Sequence, residues 1–207
     1  VGWVLEKHEL LDRELEGVDA DLVRIDHEQG AYLATQHLLE LGHRDVAYIG
    51  GPAETGVTQL RLSGFRRAMA EAGAPVLGSR VLHCDFTSPG GHAAAAQVLE
   101  GKRPSAIFAG NDMIGFGVLR AAAERNISVP GELSVIGFDD IELSRYVYPP
   151  LTTVGQSIRE LGESAASLLL TRIATPRQGA AEQRIVAPRI VLRESTGPRP
   201  DLFNEYR

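Results

Sequence analysis

From about residue 20 onward the chain alternates strand-like and helix-like segments, and this alternation restricts the folds open to it. Short apolar runs such as residues 46–49 and 105–109 are typical of buried strands. Between such runs, apolar residues recur at spacings of three and four, which predicts amphipathic helices; one such face consists of Ala31, Ala34, Leu38 and Leu41. Strand–helix–strand units at this spacing predict an α/β fold with parallel sheets flanked by helices.

The overall composition excludes several classes of protein. A net charge of −6 over 207 residues leaves no basic surface of the kind that binds phosphate backbones. The single cysteine, Cys84, cannot form an intrachain disulfide, which favours a reducing compartment. Neither an apolar run long enough to span a membrane nor a signal peptide is evident. We therefore expect a cytoplasmic protein with no membrane partner.

The motifs of common enzyme classes are missing from the sequence. Residues 50–52, Gly-Gly-Pro, follow a strand but lack the glycine spacing of a nucleotide-binding turn. The six histidines include no pair at the helical spacings of metal sites, and no Gly-x-Ser-x-Gly elbow provides a hydrolase nucleophile. We therefore expect neither catalysis nor a cofactor nor a bound metal.

Polar and aromatic side chains follow several of the predicted strands. The carboxyl ends of parallel strands are where such folds bind ligands, and the residues concerned are Phe86, Asn111, Asp139, Asp140 and Gln156, with Arg61 opening a nearby helix. Carboxylate, amide and guanidinium groups beside an aromatic ring suit a small polyhydroxylated ligand. Each residue also has a plain structural interpretation: Asn111 as a helix cap, Phe86 as core and Arg61 as the partner of a surface acid.

Five segments together resemble the effector-binding core of the lactose-repressor (LacI/GalR) family of bacterial transcription regulators. They are "DHEQGAYLATQHLLELGHRDVAYIGG", "RLSGFRRAM", "AIFAGNDMIGFGVLRAA", "LSVIGFDD" and "PPLTTVGQSIRELGESAASLLL", in this order. The resemblance covers about residues 12–195 and lacks the helix-turn-helix headpiece with which members of the family begin.

The resemblance implies a type I periplasmic-binding-protein-like fold, in which two α/β subdomains joined by three crossovers hold the effector. Here one subdomain is expected to be nearly complete and the other truncated. Residues 1–26 would be the remnant of the N-terminal subdomain and residues 27–155 the C-terminal, effector-binding subdomain. Residues 156–183 would be the return helix, residues 184–195 the final strand of the core and residues 196–207 a loose tail.

Matched motif by motif, the resemblance also assigns the effector contacts. Arg61, Asn111, Asp139 and Gln156 would bind the effector, Phe86 would stack on it, and Asp12 would line the cleft from the other subdomain. Asp139 would face the ligand, whereas Asp140 would cap the short helix that begins at Ile141.

The function implied is that of an effector-binding and dimerisation region that senses a sugar or a similar small polar molecule. The helix at 112–125 and the turn at 142–146 would pair two subunits into a homodimer. Operator DNA would be bound through a headpiece outside these residues. The alternative is a periplasmic-type sugar-binding protein of a transport system, which shares the fold.

Overall fold

The computed structural model describes residues 9–11, 21–174 and 181–200. They form two compact units. The smaller unit contains the described residues up to Asp26 together with those from Gln156 to Pro188, and the larger contains His27–Gly155 and the described residues from Arg189 onward. The chain therefore passes from one unit to the other at 26/27, 155/156 and 188/189.

Strands and helices alternate along most of the chain, as the apolar pattern predicts. In chain order they are β1 (Glu9–Leu11), β2 (Asp21–Ile25), α1 (His27–Glu40), β3 (Val46–Gly50), α2 (Gly56–Glu71), β4 (Val81–His83), α3 (Ser88–Val98), β5 (Ala106–Ala109), α4 (Asp112–Glu124), β6 (Ser134–Asp139), β7 (Thr152–Gly155), α5 (Ile158–Ala174), β8 (Gln183–Val186) and β9 (Arg189–Val191). Short 3₁₀ turns at Gly78–Arg80 and Glu142–Arg145 precede β4 and follow β6.

The larger unit is built on a six-stranded sheet in the order β4-β3-β5-β6-β7-β9. Its strands are parallel except at one edge, where β9 runs antiparallel to β7. Because helices connect the parallel strands, the carboxyl ends of β3, β5 and β6 lie along the same edge of the sheet.

Both faces of this sheet are covered by helices, so its central strands are apolar on both sides. Val46 and Tyr48 of β3 pack with α1 and α2, whereas Ala47 and Ile49 pack with α3 and α4. The helix pairs approach closely: a Cβ on Gly64 of α2 would lie 2.1 Å from the carbonyl oxygen of Glu28 in α1. This two-faced burial is characteristic of doubly wound α/β folds.

The smaller unit contains a parallel three-stranded sheet in the order β1-β2-β8. Helix α5 lies on one face of it, and its buried Leu161 and Leu168 pack with Val23, Ile25 and Val186. The described residues of this unit thus comprise three strands and one helix around a small apolar core, and the truncation of the subdomain stays a prediction.

The prediction of a single final strand at residues 184–195 is wrong. Two strands lie there: β8 pairs with β2 in the smaller unit, and β9 pairs with β7 in the larger unit. Pro188 lies between them, and because proline has no backbone N–H, it cannot continue a ladder of hydrogen bonds.

The described part of the predicted loose tail is held by hydrogen bonds. Thr196 Oγ1 lies 3.0 Å from His37 Nε2, and the Gly197 carbonyl lies 3.0 Å from His43 Nε2. The Gly197 N–H donates to Ser134 Oγ over 3.0 Å. The expectation of a loose tail is therefore wrong for these residues, and residues 201–207 lie outside the described part of the chain.

Candidate functional site

Arg61 contacts several groups at the carboxyl-end edge of the larger sheet. Helix α2 carries it, and only 4% of the residue is exposed. Its Nη1 donates to the carbonyl of Gly110, directly after β5, over 2.5 Å. Its Nη2 donates to Asp139 Oδ1, at the end of β6, over 3.1 Å. The structure therefore brings together Arg61 and Asp139, two residues that the sequence assigned to one site.

An aromatic ring supports the guanidinium group from one face. The Cζ atom of Arg61 lies 3.8 Å from the centroid of the Phe138 ring, a cation–π contact inside the larger unit. The Nε atom of Arg61 is buried and has no hydrogen-bond partner among the described residues. The Phe138 contact and the paired Nη atoms fix the orientation of the side chain, because a planar guanidinium cannot rotate without losing both.

The Asp139–Asp140 dipeptide has an unusual backbone. Asp139 has φ 113° and Asp140 has φ 55°, both in the region that L residues rarely adopt. Asp139 keeps 28% of its side chain exposed while it contacts Arg61. Asp139 is thus the part of the Arg61–Asp139 pair that a ligand can reach.

The predicted cap at Asp140 is wrong. Its carboxylate forms an ion pair with Arg193, which follows β9. The Ile141 N–H donates instead to Asp112 Oδ2, over 2.9 Å. With φ at 55°, the Asp140 side chain contacts Arg193. The Ile141 N–H, which Asp140 is expected to cap, donates its hydrogen bond to the buried Asp112.

Asn111 caps helix α4, as its plain structural interpretation predicts. Its Oδ1 accepts a hydrogen bond from the Ile114 N–H over 2.8 Å. The cap uses the oxygen, so the Nδ2 amide is the atom with which Asn111 could donate to a ligand. Asn111 directly follows Gly110, whose carbonyl accepts from Arg61.

Phe86 lies three residues beyond the end of β4. Its ring packs against the backbone of Gly51: a Cβ at position 51 would lie 2.1 Å from the ring. Gly51 follows β3, and the Gly110 N–H donates to the Ile49 carbonyl at the end of the same strand over 2.7 Å. The aromatic face and the Arg61 contacts are therefore built on neighbouring strand ends.

For the other two predicted residues, Gln156 and Asp12, a role at the site stays a prediction. Gln156 follows β7 directly and is the first residue of the returning part of the smaller unit. Its carbonyl accepts from the Ile158 N–H over 2.8 Å, at the start of α5. Asp12 lies outside the described residues.

His27 is a site residue that the sequence reasoning missed. It opens α1, is 4% exposed and has its Nδ1 3.3 Å from Arg61 Nη2. Its ring centroid lies 5.9 Å from that of Phe138. The rule that selects the other residues at strand ends also selects His27, because it follows β2 after one intervening residue.

Among the described residues, neither a metal site nor a membrane-spanning helix is found. Within that part of the chain, no group of three or more histidine, cysteine, aspartate or glutamate side chains is arranged to hold a metal ion. Nor does any described helix combine the length and apolarity needed to cross a membrane.

Comparison with known proteins identifies the family. Residues 35–196 match the model of the periplasmic binding protein-like domain. A solved LacI family transcriptional regulator from Enterococcus faecium, with bound ribose, superposes with a TM-score of 0.81 at 34% identity, covering 90% of this chain and 69% of that one. The chain belongs to the LacI family.

Two further relatives agree with this assignment. The HTH-type transcriptional repressor PurR of Proteus mirabilis (strain HI4320) is 41% identical over 179 residues, which is 86% of this chain and 52% of the repressor. A solved complex of the transcriptional regulator CelR with cellobiose has a TM-score of 0.81 at 33% identity, covering 87% of this chain and 56% of that one. The chain thus spans about half the length of the curated relatives it matches.

The family assignment decides between the predicted classes. These relatives are transcriptional regulators, so the prediction that the chain is not an enzyme is confirmed, and a regulator is favoured over a transport protein. The predicted type I periplasmic-binding-protein-like fold is also confirmed.

Proposed function

We propose that this LacI-family chain is the region of a cytoplasmic transcriptional regulator that binds a small polar effector and forms the homodimer. The observation that carries the proposal is the Arg61–Asp139 pair at the carboxyl-end edge of the larger sheet, with Asp139 still partly exposed. Ribose and cellobiose in complexes of related regulators support a sugar or a similar polyhydroxylated molecule as the effector class.

Each proposed contact has a distinct role. Asp139 accepts hydrogen bonds from effector hydroxyl groups, Asn111 donates through Nδ2, and Phe86 provides an apolar face for stacking. Arg61 orients Asp139 through their hydrogen bond, and it donates a further N–H hydrogen bond to the effector. Gln156 and Asp12 are proposed as contacts from the other subdomain.

The electrostatics of the pair favour a neutral effector over an acidic one. Arg61 is buried, and its charge is balanced by Asp139 at 3.1 Å. A phosphate or carboxylate would have to displace Asp139 from Arg61 or approach beside its negative charge, and both cost free energy in a site screened from water. Hydroxyl groups can donate to Asp139 without disturbing the pair.

The proposed homodimer uses the exposed apolar side chains of α4 and of the 3₁₀ turn after β6. Met113 is 37% exposed, Leu143 51% and Tyr146 73%. Large apolar side chains left in water are typical of protein–protein interfaces. Operator DNA is proposed to be bound through a helix-turn-helix segment beyond the matched region, as the names of the HTH-type relatives suggest.

A calorimetric titration of the purified chain tests the effector class. We would compare ribose and cellobiose with ribose 5-phosphate, and the wild-type chain with Asp139→Ala. Binding of a neutral sugar by the wild type, lost in Asp139→Ala and at least tenfold weaker for the phosphorylated sugar, is the expected result. Tighter binding of the phosphorylated sugar, or equal binding by both proteins, would contradict the proposed role of the Arg61–Asp139 pair.

A further inference from the structure

The turn that carries Asp139 requires support from its surroundings. Asp139 and Asp140 have φ values of 113° and 55° in succession. Non-glycine residues keep such a backbone only where neighbouring groups hold it, and residues of this kind cluster at ligand-binding sites. A relaxed backbone at these positions would rotate the Asp139 side chain away from its present direction.

Two buried groups hold the turn in addition to Arg61. Arg193, with 10% of its side chain exposed, forms an ion pair with Asp140, and its Nη1 donates to the Leu151 carbonyl over 2.7 Å. The backbone N–H of Arg193 donates to Thr152 Oγ1 over 3.0 Å. Arg193 is therefore fixed to the start of β7 independently of Asp140, and can act as a rigid anchor for that carboxylate.

The second group is Asp112, which fixes the next peptide unit. Its Oδ2 accepts the Ile141 N–H over 2.9 Å and the Ser144 hydroxyl over 2.7 Å. Asp140 is thus anchored through its side chain by Arg193 and through the following amide by Asp112. Asp139 is held separately, because its Oδ1 accepts a hydrogen bond from Arg61.

We propose that Asp140 is a positioning residue that acts through its neighbour: the Arg193–Asp140 ion pair maintains the left-handed turn that directs the Asp139 carboxylate to Arg61. Asp140 then shapes the effector site without touching the effector, a role that rests on the function proposed above. Arg193 lies four residues after Arg189, where the chain re-enters the larger unit. The ion pair therefore connects the Asp139–Asp140 turn to the segment that follows this crossover.

Nuclear magnetic resonance of the ligand-free 207-residue chain tests this directly. The three-bond HN–Hα coupling of residue 139 depends on φ, and exchange of the Arg61 Hε proton with water reports whether its guanidinium stays buried. In Asp140→Ala, which lacks the ion pair and disfavours φ at 55°, we expect the coupling to move towards that of an extended residue. We expect Hε exchange to rise at least tenfold.

Two further variants separate the charge from the backbone preference. Asp140→Asn tolerates a positive φ but lacks the charge, and Arg193→Gln removes the anchor while it leaves Asp140 in place. Both are expected to change the coupling and the exchange in the same direction as Asp140→Ala, but by less. These milder variants decide the question if Asp140→Ala does not fold.

The matched control is Asp45→Asn, which breaks the ion pair between Asp45 and Arg80. The side chain of Arg80 is 10% exposed, like that of Arg193, and Asp45 directly precedes β3. The control variant should leave both measurements at residues 139 and 61 as in the wild type. If Asp140→Asn and Arg193→Gln also leave them unchanged, the proposal is overturned, since the turn then keeps its shape without the ion pair. No ligand is used, so failure to bind sugars would contradict the proposed function without affecting this result.

Discussion

The carboxylate of Asp112 accepts a hydrogen bond from the Thr153 hydroxyl over 2.5 Å, and so joins the first turn of α4 to β7. The same carboxylate accepts from Ser144 and from the Ile141 N–H, behind the Asp139–Asp140 turn. It also lies over β6, where a Cβ on Gly137 would be 2.3 Å from Oδ1. One fully buried acid thus connects three segments that meet at the candidate site.

The first prediction concerns the pH dependence that Asp112 confers. Burial raises the pKa of Asp112 to about 6, although the hydrogen bonds from Thr153, Ser144 and Ile141 oppose the shift. A carboxyl group whose pKa is raised on folding stabilises the protein below its unfolded-state pKa, and this contribution is lost as pH rises through about 6. From pH 7 to pH 5, Asp112 should therefore add about 1 kcal/mol to the free energy of unfolding.

Asp112→Asn removes this contribution while it preserves the shape of the side chain. The amide oxygen can accept from Ile141 and Ser144, and the amide nitrogen can donate to the Thr153 hydroxyl. Urea unfolding of both proteins at pH 5 and pH 7 measures the difference. An equal pH dependence in the two proteins would show that Asp112 does not titrate in this range.

His43 gives a pH dependence of the opposite sign. Its ring is fully buried, with Nδ1 2.9 Å from Ser105 Oγ and Nε2 3.0 Å from Ser134 Oγ. Burial lowers the pKa of His43 from its ordinary value of 6.5. A histidine whose pKa is lowered on folding stabilises the protein above the unfolded-state value, so stability is lost as pH falls below 6.5.

His43→Ala should remove that loss and lower the free energy of unfolding at pH 7.5 by about 2–4 kcal/mol, because it leaves a cavity and removes the buried hydrogen bonds to Ser105, Ser134 and Gly197. His92→Ala is the control, since His92 pairs with Glu124 at the surface and should change stability by less than about 0.5 kcal/mol. Chemical unfolding of the three proteins between pH 5 and pH 7.5 makes the comparison. Similar losses in both variants would argue against a structural role for His43.

The sequence predicts the parts of this molecule that depend on local pattern. The strands and helices from residue 21 onward follow from apolar spacing, and the cap at Asn111 follows from its position before α4. The sequence assigns Arg61 and Asp139 to one site because Asp139 lies where a parallel strand ends and both residues belong to motifs of one family.

Two of the failures involve contacts between residues far apart in the chain. The partner of Asp140 is Arg193, 53 residues later, and nothing in the local sequence distinguishes this ion pair from the helix cap that its position suggests. Likewise, Thr196 and Gly197 resemble a polar tail but bind His37 and His43, more than 150 residues earlier. Such pairings depend on how the chain folds back on itself, which periodicity and short motifs do not describe.

Another prediction tests the close packing of α3 against α4. A Cβ on Gly117 would lie 2.2 Å from the carbonyl oxygen of Ser88 and 2.4 Å from the backbone nitrogen of His92. Both are backbone atoms and cannot move aside singly, so Gly117→Ala should destabilise the larger unit by about 1–3 kcal/mol. Gly56→Ala, where a Cβ meets nothing within 4 Å, should change stability by less than about 0.5 kcal/mol. Thermal unfolding by circular dichroism measures both, and equal midpoints would contradict the packing argument.

The last prediction concerns effector selectivity and follows from the charge balance at Arg61. Asp139→Asn keeps the size of the side chain and tolerates φ at 113° better than alanine does, but removes the negative charge beside the buried guanidinium. Hydroxyl groups then lose a charged acceptor, which should weaken binding of a neutral sugar about tenfold or more. Arg61, no longer neutralised, should attract an anion, so the ratio of affinities should move towards ribose 5-phosphate relative to ribose. Calorimetric titration of wild type and variant with both sugars gives this ratio. An unchanged ratio would mean that the charge of Arg61 does not reach the effector, and that Asp139 selects ligands by shape alone.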